Sequence, residues 1–327
     1  MALSRASVDA HIAHWRAALE SPYYPHRKHW PARLFHHAPL ENAVSILRQG
    51  LLRSRNDRHN KRQRDIAAPG VIDARDHAHD FVRLYFRPKT PTQYHIEGIR
   101  RNADCAYGAD THAPLLVMFA LDARTVLTRP DVRFSDRNMQ LGSAQPGSDQ
   151  AYFDAIPFNK VYSEGGTGGD RSVTDARCAE VMTSSPLELP SCLREIYLRS
   201  EAERDTLLHM LGADRARWAN LCYVSDALKV FEKRFAFVKK VGLTPEGVVF
   251  AFNARHDRRP LDVKIDVYDQ DGLRHIDFHN HQLAATPPNA SRWIFKHQLS
   301  PGIYTVHVTL EGHLAHSSLI SLQDTLF

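Results

Sequence analysis

The sequence predicts an α+β domain over residues 1–226 followed by an all-β sandwich over residues 227–327, and three observations predict it. The length, 327 residues, is roughly two domains' worth at ~100–200 residues each. Before Asp226, helical spacing alternates with short apolar runs, the pattern of mixed helices and strands. Beyond it the period changes to strict alternation, with a turn signal about every ten residues. A hydrophobic content of 43% with 24% charge excludes collagen-like, coiled-coil and wholly disordered classes. No apolar run approaches the ~20 residues needed to span a bilayer, and the opening MALSRASVDAHIAHWRAALE lacks the apolar core of a secretory signal. A cytoplasmic protein with no membrane partner is expected.

Ser7 to Glu20 reads as a helix, because Val8, Ile12, Trp15 and Leu19 recur at helical spacing behind a Ser4 or Ser7 cap. The segment SPYYPHRKHWP ends it. A short strand around Leu34 and Phe35 follows, then Pro39 opens a helix through Ala43, Ile46 and Leu47 that stops at Gly50. The nearly apolar-free stretch up to Arg64 is a loop or exposed edge. HDFVRLYFRP is a strand broken at Pro88, and PLLVMFALD has the unbroken apolar character of a buried central strand. Gln140 to Asp175, rich in Gly, Ser and Asp, is expected to be a long loop. CAEVMT and LREIYLR resume as strands. Ser200 to Leu211 is a helix, with Ser200 as cap and Glu203 completing a capping box. In the C-terminal part strands are expected at 234–238, 247–253, 261–268, 273–278, 292–297, 303–310 and 315–321, joined by TPEG, DQDG, TPPN and SPG. Seven short strands in about a hundred residues point to an immunoglobulin-like sandwich.

Four dispersed cysteines without a Cys-x-x-Cys pair argue against zinc ribbons and disulfide frameworks and read as buried thiols. Between Arg48 and Arg101 there are 13 Lys/Arg against 6 Asp/Glu, a larger excess than the net +5 of the whole chain. Such a segment can hold phosphates, of a dinucleotide or of a nucleic-acid backbone, although a solvated surface is the commoner meaning of a charge run. No P-loop, GxGxxG turn, HExxH or GxSxG is present, so the common phosphoryl, hydride and hydrolase chemistries lack motif support. Among the 20 histidines, His275, His279 and His281 would share a strand face with Asp277; a polar face is the default reading, and no metal is expected.

Five segments in register between about Arg33 and Leu211 carry a more specific signal. They are LFHHAPLENAVSILRQGLL, DIAAPGVIDAR, HDFVRLYFRPKTPTQY, FSDRN and CAEVMTSSPLEL. In this order they resemble the DarT family, bacterial toxins that ADP-ribosylate single-stranded DNA using NAD. The resemblance implies an ADP-ribosyltransferase-like split β core, NAD as co-substrate without a metal, and a macrodomain-type antitoxin as partner. Position by position, Glu180 is similar to the catalytic glutamate. Arg75 matches the arginine that grips the NAD phosphates and helps place that glutamate, with Arg64 and Arg83 as the substitutes if the match shifts. A guanidinium suits the task because it is always charged and binds oxygens bidentately.

By the same resemblance His36 meets the nicotinamide end of NAD, Asn42 either meets the cofactor or caps the following helix, and Tyr85 or Tyr94 stacks on the cofactor. Arg87, Lys89, Tyr152 and Phe153 are the candidates for the DNA strand, the aromatic residues either stacking on unpaired bases or pinning their loop to the core. Two departures stand out. Ala38 replaces a usual hydroxyl residue, and Arg177–Cys178 replaces a usual basic-then-Gln pair before the glutamate.

The residue types suit the chemistry. Breaking the nicotinamide–ribose bond develops oxocarbenium-like positive charge, which a carboxylate stabilises, and the acceptor nitrogen needs a general base. A flipped or unpaired base is required, so a single strand is the natural acceptor. The leading expectation is therefore transfer of ADP-ribose to thymidine in single-stranded DNA by a toxin or defence effector. The alternatives are guanosine or RNA as acceptor, a non-catalytic nucleic-acid-binding module, and an effector that modifies protein.

Overall fold

The computed structural model describes residues 2–64, 76–105, 108, 111–253, 259–283, 291–294 and 298–323. The chain forms two compact units, each assembled from separated segments: Met1–His95, Val117–Tyr197 and Ser225–Glu232 in the first, and Ile96–Leu116, Leu198–Val224 and Lys233–Phe327 in the second.

In the seven-stranded sheet on which the first unit is built, six successive strands lie in the order Arg133–Ser135, Glu180–Ser184, Phe81–Tyr85, Arg33–Pro39, Leu116–Asp122 and Leu193–Leu198. Leu116–Asp122 comes from the unbroken apolar run and is buried from Leu116 to Leu121, as a strand covered on both faces must be. The N-terminal helix Arg5–Ala18 is capped by Ser4, whose Oγ accepts from the Ser7 N–H at 3.0 Å. Pro39 stands immediately before the helix Leu40–Gln49, and Gly50 ends it with φ 68°, a left-handed conformation open to glycine at little cost.

The glutamate strand is held at both sides and at its far end. It pairs antiparallel with Phe81–Tyr85 and with Arg133–Ser135, placing Tyr85 and Ser135 opposite Glu180. At the far end the Asp131 carboxylate accepts from the Ser184 N–H at 2.8 Å and from the Thr183 hydroxyl at 3.1 Å. That carboxylate is held well below the usual range because donors from Arg129 and Ser184 outweigh the opposing effect of burial.

The expected long loop from Gln140 to Asp175 is a correction: it contains three short helices, Gln150–Ala155, Phe158–Val161 and Arg171–Ala176. Its polar composition hides two N-caps, Asp149 accepting from the Tyr152 N–H and Asp170 from the Ser172 N–H. Its few apolar residues are then the ones that matter, because Phe153, Phe158 and Tyr162 are all buried.

In the second unit two antiparallel sheets share one apolar core. One runs Val238–Thr244, Gly247–Phe252, Ser291–Ile294; the other runs Arg274–Leu283, Leu261–Tyr268, Gly302–Leu310, His313–Leu322. Val248 and Phe250 from the first meet Val263, Ile265, Val306 and Val308 from the second in that core. The helix Glu201–Leu211 joins it through Ala202, and its Ser200 cap accepts from the Glu203 N–H as expected. The first C-terminal strand begins at Val238 rather than Arg234. The apolar residues ahead of it are committed elsewhere: Ala236 and Ile99 exchange backbone hydrogen bonds, and the Phe237 N–H donates to Asn253 Oδ1. Among the described residues no helix is long and apolar enough to cross a membrane.

Candidate active site

Glu180 opens its strand and is fully buried. Burying a carboxylate without partners is costly, and the fold supplies three donors. Arg83 grips it bidentately, Nε to Oε2 at 3.0 Å and Nη2 to Oε1 at 2.5 Å, and the Met139 N–H adds a longer contact to Oε2 at 3.3 Å. Burial works to lower the Arg83 pKa, but the Glu180 charge outweighs it and holds the guanidinium above its ordinary value. Asn138 orients the clamp. Its Oδ1 accepts from Arg83 Nη2 at 2.9 Å and from the Gln140 N–H at 3.0 Å.

The histidine strand reaches the same arginine from the other side. Its pairing with Phe81–Tyr85 registers at Phe35↔Tyr85, and next to that point the His36 ring meets the Arg83 carbonyl at 3.1 Å. A carbonyl only accepts, so Nδ1 carries the proton and donates, leaving Nε2 as an acceptor. Burial pushes the His36 pKa down, which keeps the ring neutral near pH 7. Neighbouring His37 is also pushed down, to about 3, by burial and by His36, and lies parallel to Tyr85 with ring centres 5.5 Å apart. The Tyr85 hydroxyl is held well above its usual pKa by burial and then by Glu180. The Cys178 thiol, two residues before the glutamate, is raised to about 12 by the same two causes and stays protonated.

The other candidates from the sequence divide into two groups. Arg75 lies outside the described residues, and Arg83, one of its two substitutes, is the arginine that grips the glutamate. Arg64, the other, stands 4.0 Å from Glu41. Asn42 does not cap its helix. Its amide donates to the Arg64 carbonyl at 2.7 Å and accepts from the N–H groups of Gln63 and Arg64, so it fastens the basic segment to the helix. Tyr94 is exposed on the short helix Pro91–Ile96, its ring against His95.

The DNA-strand candidates are mostly structural in this fold. Arg87 is buried over the Trp30 ring and donates to the carbonyls of Pro88, Val161 and Ser163, its pKa lowered to about 9 by burial and by Arg177. Lys89 is paired with Glu164 at 2.6 Å, and Glu164 also takes His26. Phe153 is core, edge-on to His11 and Phe134, so it pins its loop rather than offering a stacking face. Tyr152 is half-buried, with its hydroxyl donating to the Gln145 carbonyl at 2.6 Å. Its ring lies where a Cβ at Gly147 would stand, so only glycine fits there.

Sequence reasoning assigned no role to Asn138 or to the Met139 N–H, although FSDRN was one of the segments singled out. Alternation within the strand Phe81–Tyr85 gives only part of the arrangement, and the register between strands completes it. Arg83 and Tyr85 share a face, and Tyr85 pairs with Glu180.

A buried carboxylate gripped bidentately by a guanidinium suits the stabilisation of a cationic sugar. The chain matches the family described as "ssDNA thymidine ADP-ribosyltransferase, DarT" over residues 35–227, more than half its length. It belongs to the DarT family. Membership makes it an NAD-dependent ADP-ribosyltransferase of single-stranded DNA. Among solved structures it is similar to Thermus sp. 2.9 DarT in complex with ADP-ribosylated ssDNA, with 17% identity, TM-score 0.50, 62% of this chain and 96% of that one. The same protein in complex with NAD+ matches at 19% identity and TM-score 0.44, over 55% of this chain and 88% of that one. Thermosipho africanus DarTG in complex with ADP-ribose matches at 16% identity and TM-score 0.40, covering 64% and 53%. No curated protein matches the chain.

Proposed function

We propose that this DarT-family chain transfers ADP-ribose from NAD to thymidine in single-stranded DNA, acting in the cytoplasm as a toxin or defence effector that a macrodomain-type hydrolase restrains. The observation that carries the reading is the fully buried Glu180 carboxylate, clamped by Arg83 within the stretch that matches the family.

Each residue then has a stated task. As the nicotinamide–ribose bond breaks, positive charge grows on the ribose, and Glu180 faces it with negative charge fixed in place beforehand. Arg83 keeps both carboxylate oxygens oriented, and Asn138 keeps Arg83 from rotating away. His36, donating Nδ1–H to the Arg83 carbonyl, presents Nε2 to a donor at the nicotinamide end of NAD. Glu180 then takes the proton of the attacking base nitrogen. The NAD phosphates fall to the basic segment that Asn42 fastens, in which Arg75 is the first candidate.

Incubation with labelled NAD tests the reading against single-stranded DNA, duplex DNA, RNA and a protein lysate, beside Glu180→Ala. Label on thymidine-containing single strands that disappears in the variant supports it. Label confined to RNA or protein, or DNA binding with no label at all, overturns it.

A further inference from the structure

The second unit holds a cluster that the transfer chemistry does not use. Its edge strand Arg274–Leu283 pairs with Leu261–Tyr268, Val263 opposite Asn280 and Lys264 opposite His279, and the register shifts by one between Leu261 and Val263. Shifts of this kind re-aim side chains, and here three of them converge. His279 Nε2 lies 2.8 Å from Asp262 Oδ1, and His281 Nδ1 lies 3.3 Å from the same oxygen. Among the described residues the ligating atoms of Asp262, His279 and His281 all fall within 4.8 Å of one another.

An ordinary solvated face would look different, and the same strand provides the comparison. His275 has a carboxylate to itself, Asp269 at 2.8 Å. His279 and His281 instead share one oxygen of Asp262, with their ring centres only 3.9 Å apart. Without an ion, each nitrogen that faces this oxygen donates its proton to it; a divalent ion would displace both protons and gather the two nitrogen lone pairs and the carboxylate at a common point. We propose that Asp262, His279 and His281 form a surface site for a single zinc-class divalent ion, water completing its coordination.

The dimensions fit. Zinc bonds of ~2.0–2.2 Å at a tetrahedral angle set donors ~3.3–3.6 Å apart, so the His281–Asp262 spacing already matches and the His279–Asp262 spacing must open by about half an ångström. The carboxylate-bearing residue is also fixed. The Asp262 N–H donates to Glu311 Oε1 at 3.0 Å, and its carbonyl accepts from the Glu311 N–H at 2.9 Å. Two imidazoles and one carboxylate favour zinc or its late transition-metal neighbours over magnesium or calcium, which prefer an all-oxygen shell. Because the ligands come from two strands, the bound ion would tie the edge strand to its neighbour.

Calorimetric titration of the full chain with zinc chloride tests the site, beside His279→Gln, His281→Gln and the double variant, with magnesium as a control. All three side chains are partly or largely exposed, so the substitutions leave the fold intact, and circular dichroism verifies it. The expected result is one tight equivalent for the parent chain, weakened by about tenfold or more in each variant, and no heat with magnesium. Indistinguishable zinc isotherms for the parent and the double variant would overturn the proposal, since the remaining 18 of the 20 histidines would then account for all the binding.

Discussion

Both units contain a buried arginine–glutamate pair, and the two pairs are built for different ends. In the second unit Arg199 and Glu203 lie four residues apart, Arg199 just ahead of the helix that carries Glu203, each side chain about 1% exposed, and every contact closes inward. Glu203 also accepts from the Arg199 N–H, the Arg199 guanidinium takes the Pro114 carbonyl and lies over the Phe237 ring, and burial raises the Glu203 pKa. In the first unit Arg83 and Glu180 come from strands 97 residues apart. Arg83 keeps 18% of its side chain accessible, and its carbonyl meets a histidine. A local pair sealed on all sides stabilises the fold. The long-range pair leaves a flank open and is held by strands on both sides, which is what the proposed transfer requires of its carboxylate. The difference lies in what the partners leave open, because the ion pairs themselves are alike.

The largest effects are expected from removing one partner of each pair. Arg83→Ala leaves a buried carboxylate uncompensated, so transfer to single-stranded DNA is expected to fall by ~10²-fold or more, with stability reduced by ~3–5 kcal/mol. Glu203→Ala is expected to cost a similar ~3–5 kcal/mol in denaturant unfolding while the folded fraction turns over at the parent rate. Equal loss of specific activity in the two variants would dissolve the distinction. Asn138→Ala, which frees the clamp without unpairing the charge, should lower kcat by about tenfold and leave the KM for NAD nearly unchanged. A rise in KM alone would make Asn138 a cofactor contact instead.

Proton linkage is expected to give the smallest effect. His37 in the first unit and His316 in the second are pushed down by burial, to about 3 and about 4. The unfolded chain binds protons at these positions below its ordinary 6.5 and the native state does not, so stability is full above pH 6.5 and declines as the pH falls toward 4. Unfolding midpoints measured between pH 7 and 4 should show that decline, and His316→Gln should make it shallower.

Elements with strong local signals were legible in the sequence. The apolar run from Leu116, the Pro39–Gly50 bracket and the Ser200 cap each fix their element within a few residues, and each stands where expected. Glu180 was legible as an isolated carboxylate among small and apolar neighbours, and it is fully buried. The helices between Gln150 and Ala176 were not, because each is only four to six residues long and is held by an Asp cap or by aromatic packing that no periodicity records. Arg83 and Asn138 become partners of Glu180 through strand register and a turn, and a linear pattern does not encode which arginine faces which glutamate. Phe153 illustrates a related limit: an aromatic residue in a polar stretch reads equally as a stacking face or an anchor, and burial alone decides.

In the proposed reaction the Arg83-held carboxylate of Glu180 performs the transfer. Single-turnover reaction of Glu180→Gln with labelled NAD and a thymidine-containing single strand tests it, because the amide keeps the shape and removes the charge. The expected rate is lower by ~10²–10⁴-fold, with NAD still bound and the unfolding transition still cooperative. Transfer at the parent rate would contradict it.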